Sequence, residues 1–193
     1  MPKAVKAESV MAIPVSATRK PVLDGAYGGS AHVVLTPAAP AARISLRAGA
    51  DAVAGLSSAL GLTLPTAPKT SAHSGSRLAF WLGPDEWLVI DEDGTDLIAA
   101  CAASGATHAA TDISHRNTAI LVSGPGVTKA LNAACPLDLT LKAFPLGAVT
   151  RTVFGKIEIV LYRMSEEAFR VECWRSFADY AFGMLAEGAA DAA

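Results

Sequence analysis

The sequence predicts an α+β fold built of two ferredoxin-like halves, in which antiparallel sheets are backed by helices. Segments that alternate apolar and polar residues, as half-exposed strands do, are interleaved with segments whose apolar residues recur at helical spacing. The order of segments repeats, because each half of the chain runs strand, helix, strands, helix. In both halves an acidic turn, GPDE or SEEA, precedes a tryptophan-bearing strand and then a helix, which indicates an internal repeat.

The first half begins with ARISLRA, residues 42–48, whose alternation predicts a strand. A helix with apolar residues three to four positions apart follows and ends at Gly61, since glycine commonly ends helices. The next segment, LTLPTAPKTSAHSGS, is a loop by composition. RLAFWL and WLVID, on either side of GPDE, predict a hairpin-like pair of strands, and TDLIAACAASG predicts a short helix.

The second half begins with the strand NTAILVS, the turn GPG and the helix VTKALNAA. After the loop CPLDLTLKAFPLG, the strands AVTRTVF, IEIVLYRM and FRVECWR are predicted. The closing helix, SFADYAFGMLAEG, carries an apolar stripe formed by Phe177, Tyr180, Ala181, Met184 and Leu185. Phe182 lies outside this stripe, so we expect the helix to be covered on two sides, once by its own core and once by something else.

These elements predict one domain, residues 31–187, built of halves at about 40–106 and 107–187. Residues 1–30 are predicted to be an irregular arm, because they end in the flexible GAYGGS. Residues 188–193 are predicted to be a frayed tail.

The composition is unusually apolar for a domain of this size. Of 193 residues, 51% are hydrophobic and 18% are charged, whereas about a quarter of an ordinary soluble domain is charged. Much of the excess is alanine, so two explanations stay open: a face covered by a partner, or a compositional bias toward alanine. A net charge of −2 gives no basis for binding nucleic acid or an anionic membrane.

We expect a cytoplasmic protein, because the three cysteines described below fit a reducing compartment. No segment approaches the ~20 continuous apolar residues of a membrane span. The N-terminal segment does not have the uninterrupted apolar region of a signal peptide. Cys101, Cys135 and Cys173 lie far apart in apolar runs, without a C-x-x-C pair. This spacing predicts free, buried thiols in a reducing compartment rather than disulfides or a zinc site.

The segment TDISHRN, residues 111–117, contains the residue types of a catalytic triad. A nucleophilic serine needs a histidine that activates it and an acid that orients the histidine. The chain has no G-x-S-x-G elbow, and in an extended segment Ser114 and His115 point to opposite faces. We therefore expect Asp112 and Ser114 to satisfy backbone groups at a corner between strands, with His115 and Arg116 at the surface or at an interface.

Other candidate motifs are incomplete. SGPGVTK has neither spacing of a phosphate-binding loop, so it predicts a strand-to-helix turn. The four histidines show no helical pairing and no cysteine neighbours, and we expect no metal site. Adjacent carboxylates occur only in predicted turns, where water surrounds both groups. Acid–base catalysis needs two carboxyl groups whose environments push their pKa values apart, and turns do not provide this difference. The sequence therefore predicts no catalytic, cofactor-binding or metal-binding residue.

Two strands of the second half have faces that are typical of an interface. Arg151 shares a face with two valines, and Arg170 and Glu172 share a face with Trp174. Arginine and tryptophan together are enriched in interface cores, although a solvated sheet face is the alternative. The residues predicted to contact other subunits are His115, Arg116, Arg151, Arg170, Trp174, Arg175 and Phe182.

Four stretches together resemble the gamma subunits of heterotetrameric sarcosine oxidases: LGPDEWLVI, TDISHRNTAILVSGPGVTKALNAACPLDL, FPLGAVTRTVFGKIEIVLYR and FRVECWRSFADYAFGML. The resemblance covers roughly residues 78–186, and its specific motifs are S-H-R-N, N-A-x-C-P-L-D-L and W-R-S-F-A-D-Y. It implies a complex with alpha, beta and delta subunits that converts sarcosine, O2 and tetrahydrofolate to glycine, H2O2 and 5,10-methylenetetrahydrofolate. It also implies that FAD, FMN, NAD and zinc lie in the other subunits and that this chain holds no cofactor.

The family is similar in fold to the folate-binding domain of aminomethyltransferases, which carry D-[VI]-S-H and a later G-G-[VI]-x-D-D segment with the catalytic acid. Here the first motif is present as D-I-S-H at 112–115, but the later region reads TVFGKIEIVLYR. Glu158 is the only carboxylate there, and Ile159 follows it. The resemblance therefore implies a non-catalytic structural subunit. The alternative is a stand-alone folate-binding or one-carbon-transfer protein.

Overall fold

The computed structural model describes residues 20–192 of the chain. The strands within this range are β1 (Gly28–Gly29), β2 (Val34–Pro37), β3 (Ala42–Ala48), β4 (Ser71–Ser74), β5 (Arg77–Gly83), β6 (Glu86–Asp91), β7 (His108–Asp112), β8 (Asn117–Ser123), β9 (Val149–Phe154), β10 (Ile157–Ser165) and β11 (Ala168–Trp174). The helices are α1 (Val53–Leu60), α2 (Leu97–Ala103), α3 (Val127–Asn132) and α4 (Ala178–Asp191), and a short 3-10 helix (Arg175–Phe177) precedes α4. None of these helices is long and apolar enough to cross a membrane.

The strands form two antiparallel sheets. The first has the order β4-β5-β6-β3-β7, and the second has the order β1-β2-β8-β11-β10-β9. In the first, β3-α1-β5-β6-α2-β7 is a ferredoxin-like unit, and β4 extends its edge. In the second sheet, β8-α3-β10-β11-α4 occupies the positions that β3-α1-β5-β6-α2 occupies in the first unit. β9 extends the edge of the second sheet, as β4 extends that of the first. The predicted α+β class and the internal repeat are thereby confirmed.

The boundary between the halves differs from the predicted one. β7 lies after the predicted boundary, yet it pairs with β3 in the first sheet. β2 precedes the first unit, yet it pairs with β8 and supplies the fourth strand of the second unit. Each unit thus receives a strand from outside its predicted limits. The sequence predicts no strand at 34–37, and local patterns identify a strand but not its partner, so they cannot show this exchange.

The C-terminal residues are helical rather than frayed. α4 continues to Asp191, and Gly188 and Ala189 are buried. A Cβ atom on Gly188 would lie 2.5 Å from the carbonyl oxygen of Ala130 in α3, so glycine permits the close contact of the two helices. The predicted tail therefore continues α4 as far as Asp191, and Ala193 lies outside the described part of the chain. Within the predicted N-terminal arm, residues 28–29 form β1, and residues 1–19 lie outside the described part of the chain.

Three apolar cores hold the described fold together. One lies between the first sheet and helices α1 and α2, and a second lies between the second sheet and helices α3 and α4. The third joins the inner faces of the two sheets, where the rings of Phe80 and Tyr162 lie 4.7 Å apart between centroids. The layers are therefore helix, sheet, sheet, helix.

The second cover of α4 is supplied by the chain itself. Phe182 is half-buried, and a Cβ atom on Gly28 of β1 would lie 3.0 Å from its Cε1 atom. The sequence predicts that something beyond the helix's own core covers Phe182, and that another subunit contacts it. In the structure Phe182 packs against β1, since glycine leaves room for the ring, and its contact with another subunit stays a prediction.

Thiol reactivity offers a direct check on the packing. Cys101, Cys135 and Cys173 are all buried and free. Burial raises the pKa of each thiol, and together with the charge of Glu172 it raises that of Cys173 to about 12. Because only the thiolate is nucleophilic, we expect no fast reaction with a disulfide reagent at pH 8 in the folded protein. All three should react in guanidinium chloride, and a thiol that reacts quickly without denaturant would contradict this packing.

Candidate functional site

The corner between β7 and β8 is held by side-chain hydrogen bonds. Asp112 Oδ1 accepts hydrogen bonds from the backbone N–H of Ser114 (2.8 Å) and from its hydroxyl (2.6 Å). The same hydroxyl oxygen accepts a hydrogen bond from the backbone N–H of Arg43 (2.9 Å), which ties the corner to β3. These contacts confirm the predicted roles of Asp112 and Ser114. The serine hydroxyl is fully engaged in them and is not positioned as a nucleophile.

His115 and Arg116 are exposed at this corner, as the sequence predicts for surface side chains. Within residues 20–192 no hydrogen bond joins Ser114 to His115, so the corner has no activated serine. The guanidinium of Arg116 instead lies over the ring of Trp174, 5.1 Å from its centroid. The ring of Trp174 in turn stacks on that of Phe177 at 6.1 Å.

Trp174, Phe177 and Tyr180 form an exposed aromatic patch beside the corner. Their side chains are 42%, 40% and 37% exposed, respectively. Trp174 ends β11 on the same face as the buried Glu172, but it lies beyond the region that the first sheet covers. Tyr180 is fixed by its hydroxyl, which accepts a hydrogen bond from the backbone N–H of Lys156 (3.2 Å). Trp174 is the part of the predicted arginine–tryptophan face that remains at the surface. The sequence predicts that Phe177 and Tyr180 belong to the apolar stripe of the closing helix, and the structure leaves them exposed beside Trp174.

Arg170 does not belong to that surface, which corrects its predicted role as a subunit contact. It is 2% exposed, and its Nε donates to Glu172 Oε1 at 2.8 Å. Glu172, 1% exposed, also accepts from Nε of Arg43 on the first sheet at 2.9 Å. A further ion pair joins Arg170 to Glu92 at 2.7 Å. Arg170 and Glu172, on the face that the sequence predicts to meet another subunit, instead meet the chain's own first sheet, and Trp174 of that face stays exposed.

Arg151 lies at the rim of the same intersheet contact and is 37% exposed. Its Nη2 donates to Glu86 Oε1 of the first sheet at 2.6 Å. This hydrogen bond, opposed by burial and aided by the charges of Glu86 and Glu158, raises the pKa of the Arg151 guanidinium. Arg151 therefore links the two sheets as well as reaching solvent.

The residues in place of the aminomethyltransferase acid do not fit a folate site. Glu158 is 55% exposed, and Arg151 Nε lies 3.6 Å from its carboxylate. The cleft that Glu158 lines has a volume of about 50 Å³. Small-molecule pockets usually measure about 300–1,000 Å³. Among residues 20–192, no cluster of three or more histidine, cysteine, aspartate or glutamate side chains could hold a metal ion.

The structure brings four of the predicted residues together at one end of the molecule: His115, Arg116, Trp174 and Arg175. Arg175 is exposed, and its backbone N–H donates to the carbonyl of Arg116 at 2.7 Å. Its Nη2 atom donates to the carbonyl of Lys20 at 3.0 Å. Lys20 is absent from the sequence prediction, because a contact between residues 155 positions apart leaves no local pattern.

Comparison with known proteins gives a consistent family assignment. Residues 46–191 match the model of the sarcosine oxidase, gamma subunit family. The sarcosine oxidase subunit gamma of an Arthrobacter species is 30% identical over 172 residues, which span 86% of this chain and 84% of that protein. The subunit of the same name from Corynebacterium sp. (strain P-1) is 29% identical over 181 residues, which span 91% of this chain and 88% of that protein.

Two solved structures share the fold. One is a chain of the heterotetrameric sarcosine oxidase from Corynebacterium sp. U-96, solved with pyrrole 2-carboxylate, with a TM-score of 0.82 and 24% identity over 90% of this chain and 95% of that one. The other is the glycine cleavage system aminomethyltransferase T from Bartonella henselae, with a TM-score of 0.63 and 16% identity over 85% of this chain and 48% of that one. The predicted likeness to the aminomethyltransferase fold is confirmed. By its sequence along residues 46–191, this chain belongs to the sarcosine oxidase gamma subunit family.

Proposed function

We propose that this chain is the gamma subunit of a heterotetrameric sarcosine oxidase and that it serves assembly rather than catalysis. The family match over residues 46–191 carries the proposal. Its partners would be the alpha, beta and delta subunits. The complete complex would convert sarcosine, O2 and tetrahydrofolate to glycine, H2O2 and 5,10-methylenetetrahydrofolate in the cytoplasm. FAD, FMN, NAD and zinc would lie in the other subunits.

A non-catalytic role is supported by how the chain uses its reactive side chains. The Ser114 hydroxyl is committed to Asp112 and to the backbone of Arg43. Glu172 is buried between two arginines, and Glu158 is exposed beside Arg151. General acid–base catalysis needs a carboxyl group that is both accessible and shifted in pKa. The acids described here satisfy structural partners instead.

A docking role is supported by the aromatic patch and the neighbouring Arg116. Trp174, 42% exposed, already lies between a guanidinium and a second aromatic ring. Tryptophan, tyrosine and arginine are the residues most often found to dominate binding energy at interfaces. Burying this aromatic patch against another subunit would remove apolar surface from water, which favours association.

Coexpression with the alpha, beta and delta subunits tests the proposal. We expect the full-length chain to copurify with them, and the complex to form H2O2 from sarcosine. Expressed alone, the chain should self-associate or be poorly soluble, because the aromatic patch stays exposed. A chain that stays monomeric and never copurifies with the large subunits would contradict the proposed function.

Substitution at the aromatic patch tests the docking role. We expect Trp174→Ala to weaken assembly by about tenfold or more, as truncating a central interface aromatic does. Leu146→Ala is a matched control, since Leu146 is 56% exposed but lies in the loop before β9. His115→Ala should reduce turnover of the assembled complex by less than Trp174→Ala reduces assembly. Loss of turnover in His115→Ala with intact assembly would instead indicate a catalytic role.

The alternative function, a stand-alone folate-binding or one-carbon-transfer protein, draws on the D-I-S-H motif and the shared fold. Titration of the isolated chain with tetrahydrofolate distinguishes the two functions. We expect no binding in the micromolar range, since Glu158, the carboxylate nearest in sequence to the missing catalytic acid, is 55% exposed and lies beside Arg151. Micromolar binding by this chain alone would favour the alternative.

A further inference from the structure

A second cavity lies on the other side of the β7–β8 corner, at the end where the described chain begins. It has a volume of about 140 Å³. Its apolar wall comes from the N-terminal segment and the β2–β3 connection, namely Pro21, Val22, Ala38, Ala39, Pro40 and Ala41. Its polar wall comes from Ser114, Asn117 and Thr118. A cavity of about 150 Å³ holds one small group the size of benzene, so this one, which we call the corner cavity, suits a single side chain.

Basic side chains line the corner cavity. Lys20, His115, Arg43 and Arg175 contribute to its surface, and no aspartate or glutamate of residues 20–192 lines it. The charge of Arg43 is already balanced by its buried pair with Glu172. Lys20 meets Asp24 at 3.7 Å, but both side chains are more than half exposed, so water screens that pair. The surplus positive charge at the cavity therefore belongs to Lys20 and Arg175.

Arg175 is held in place by hydrogen bonds to backbone carbonyl groups and not, in the described part of the chain, by a carboxylate. One Nη2–H donates to the carbonyl of Lys20, and its backbone N–H donates to the carbonyl of Arg116. No ion pair engages its guanidinium within residues 20–192. The opposite wall is held by the hydrogen bond from the backbone N–H of Ala38 to the carbonyl of Ala119 at 2.9 Å. A fixed guanidinium with spare N–H donors matches the geometry of a carboxylate.

We infer that the corner cavity receives an aspartate or glutamate side chain of a partner subunit, which pairs with Arg175 and Lys20. This inference rests on the proposed function and specifies how the docking surface recognises its partner. The carboxylate supplies the negative charge that the cavity lacks, and the short apolar stem of the side chain contacts the proline and alanine wall. Such a pair, removed from water at an interface, adds specificity as well as affinity.

Charge reversal tests the inference in the coexpressed complex. We expect Lys20→Glu/Arg175→Glu to weaken assembly by about tenfold or more, because a buried carboxylate would then face two acids. Lys129→Glu/Lys142→Glu is the matched control, since it changes the net charge equally at exposed lysines of α3 and the α3–β9 loop. The control should assemble within about twofold of the wild type, and circular dichroism should show that both variants fold.

The outcomes separate this inference from the proposed function. If the wild-type chain does not copurify with the other subunits, both are contradicted. If the wild type copurifies and Lys20→Glu/Arg175→Glu assembles as tightly, only the inference is contradicted. Equal weakening by the control double variant would also contradict it, since the effect would then follow net charge and not the cavity.

A zero-length crosslink identifies the occupant. A water-soluble carbodiimide couples a carboxylate to a lysine amine only when the two groups are in contact. In the wild-type complex we expect mass spectrometry to find the Lys20 amine joined to an aspartate or glutamate of another subunit. A Lys20 amine joined only to a carboxylate of its own chain, such as Asp24, or left unmodified, would overturn the inference.

Discussion

Replacing Glu172 with glutamine is expected to lower the free energy of unfolding by about 3–5 kcal/mol, the usual cost of breaking a buried ion pair. Glutamine keeps the shape of the side chain but removes the charge that faces Arg43 at 2.9 Å and Arg170 at 2.8 Å. Both guanidiniums are 2% exposed and would stay buried between the sheets. Denaturation in guanidinium chloride, followed by circular dichroism, measures the change.

Two controls make the Glu172 result specific. The Glu158 side chain lies on the neighbouring strand and is 55% exposed. Glu158→Gln should therefore change the free energy of unfolding by less than about 1 kcal/mol. The triple variant Arg43→Met/Arg170→Met/Glu172→Leu removes the charges together and should be less destabilised than Glu172→Gln, because no buried charge is left unpaired. If Glu172→Gln is as stable as Glu158→Gln, the two sheets do not depend on this ion pair.

Replacing Arg163 with methionine is expected to lower the free energy of unfolding by about 2–4 kcal/mol, because the buried carbonyl of Leu139 and the partly buried carbonyl of Glu166 lose their donors. Arg163 lies on β10, is 1% exposed, and donates to the carbonyls of Glu166 and Leu139. Its guanidinium lies 4.3 Å from the centroid of the Phe169 ring. Methionine fills much of the same volume, so most of the loss should come from the hydrogen bonds and the ring contact.

The neighbouring residue gives the control for Arg163. Met164 is 46% exposed on the opposite face of β10, and Met164→Ala should change stability by less than about 0.5 kcal/mol. Arg163→Lys keeps the charge, but one ammonium group cannot reach both carbonyls. We therefore expect it to lower the free energy of unfolding by more than Met164→Ala and by less than Arg163→Met. Equal stability of Arg163→Met and the wild type would show that the 139–147 loop is held by other contacts.

The ferredoxin-like repeat was predictable, because it depends on the spacing of apolar residues along each strand and helix. Alternation in ARISLRA and helical spacing up to Gly61 both report which face of an element is apolar, and they match β3 and α1. The corner was predictable for the same reason, since Asp112 and Ser114 bond within a few residues of each other. The exchange of β2 and β7 between the sheets was not, because pairing partners are chosen across the whole chain.

The residues predicted to contact other subunits show the same difference between what local patterns reveal and what the folded chain decides. Alternation places Arg170, Glu172 and Trp174 on one face of β11, and the structure agrees. What covers that face depends on where the first sheet ends. The first sheet covers Arg170 and Glu172 and leaves Trp174 at the surface. Lys20 and Arg175 meet only through the folded chain, so the corner cavity has no counterpart in any local motif.

The sequence by itself determined the four helices, most of the strands, the repeat and the family, because backbone preferences, apolar periodicity and motif residues are local properties. It did not predict β1 or β2, and β4 lies in a segment that it predicted to be a loop. Only the tertiary structure decided which polar faces are interior. An arginine or glutamate on a strand looks the same in sequence whether water or a second sheet lies above it. Burial is settled by contacts such as that of Arg43 with Glu172, which joins residues 129 positions apart. The exposed remainder, the aromatic patch and the corner cavity, is what this chain can present to a partner.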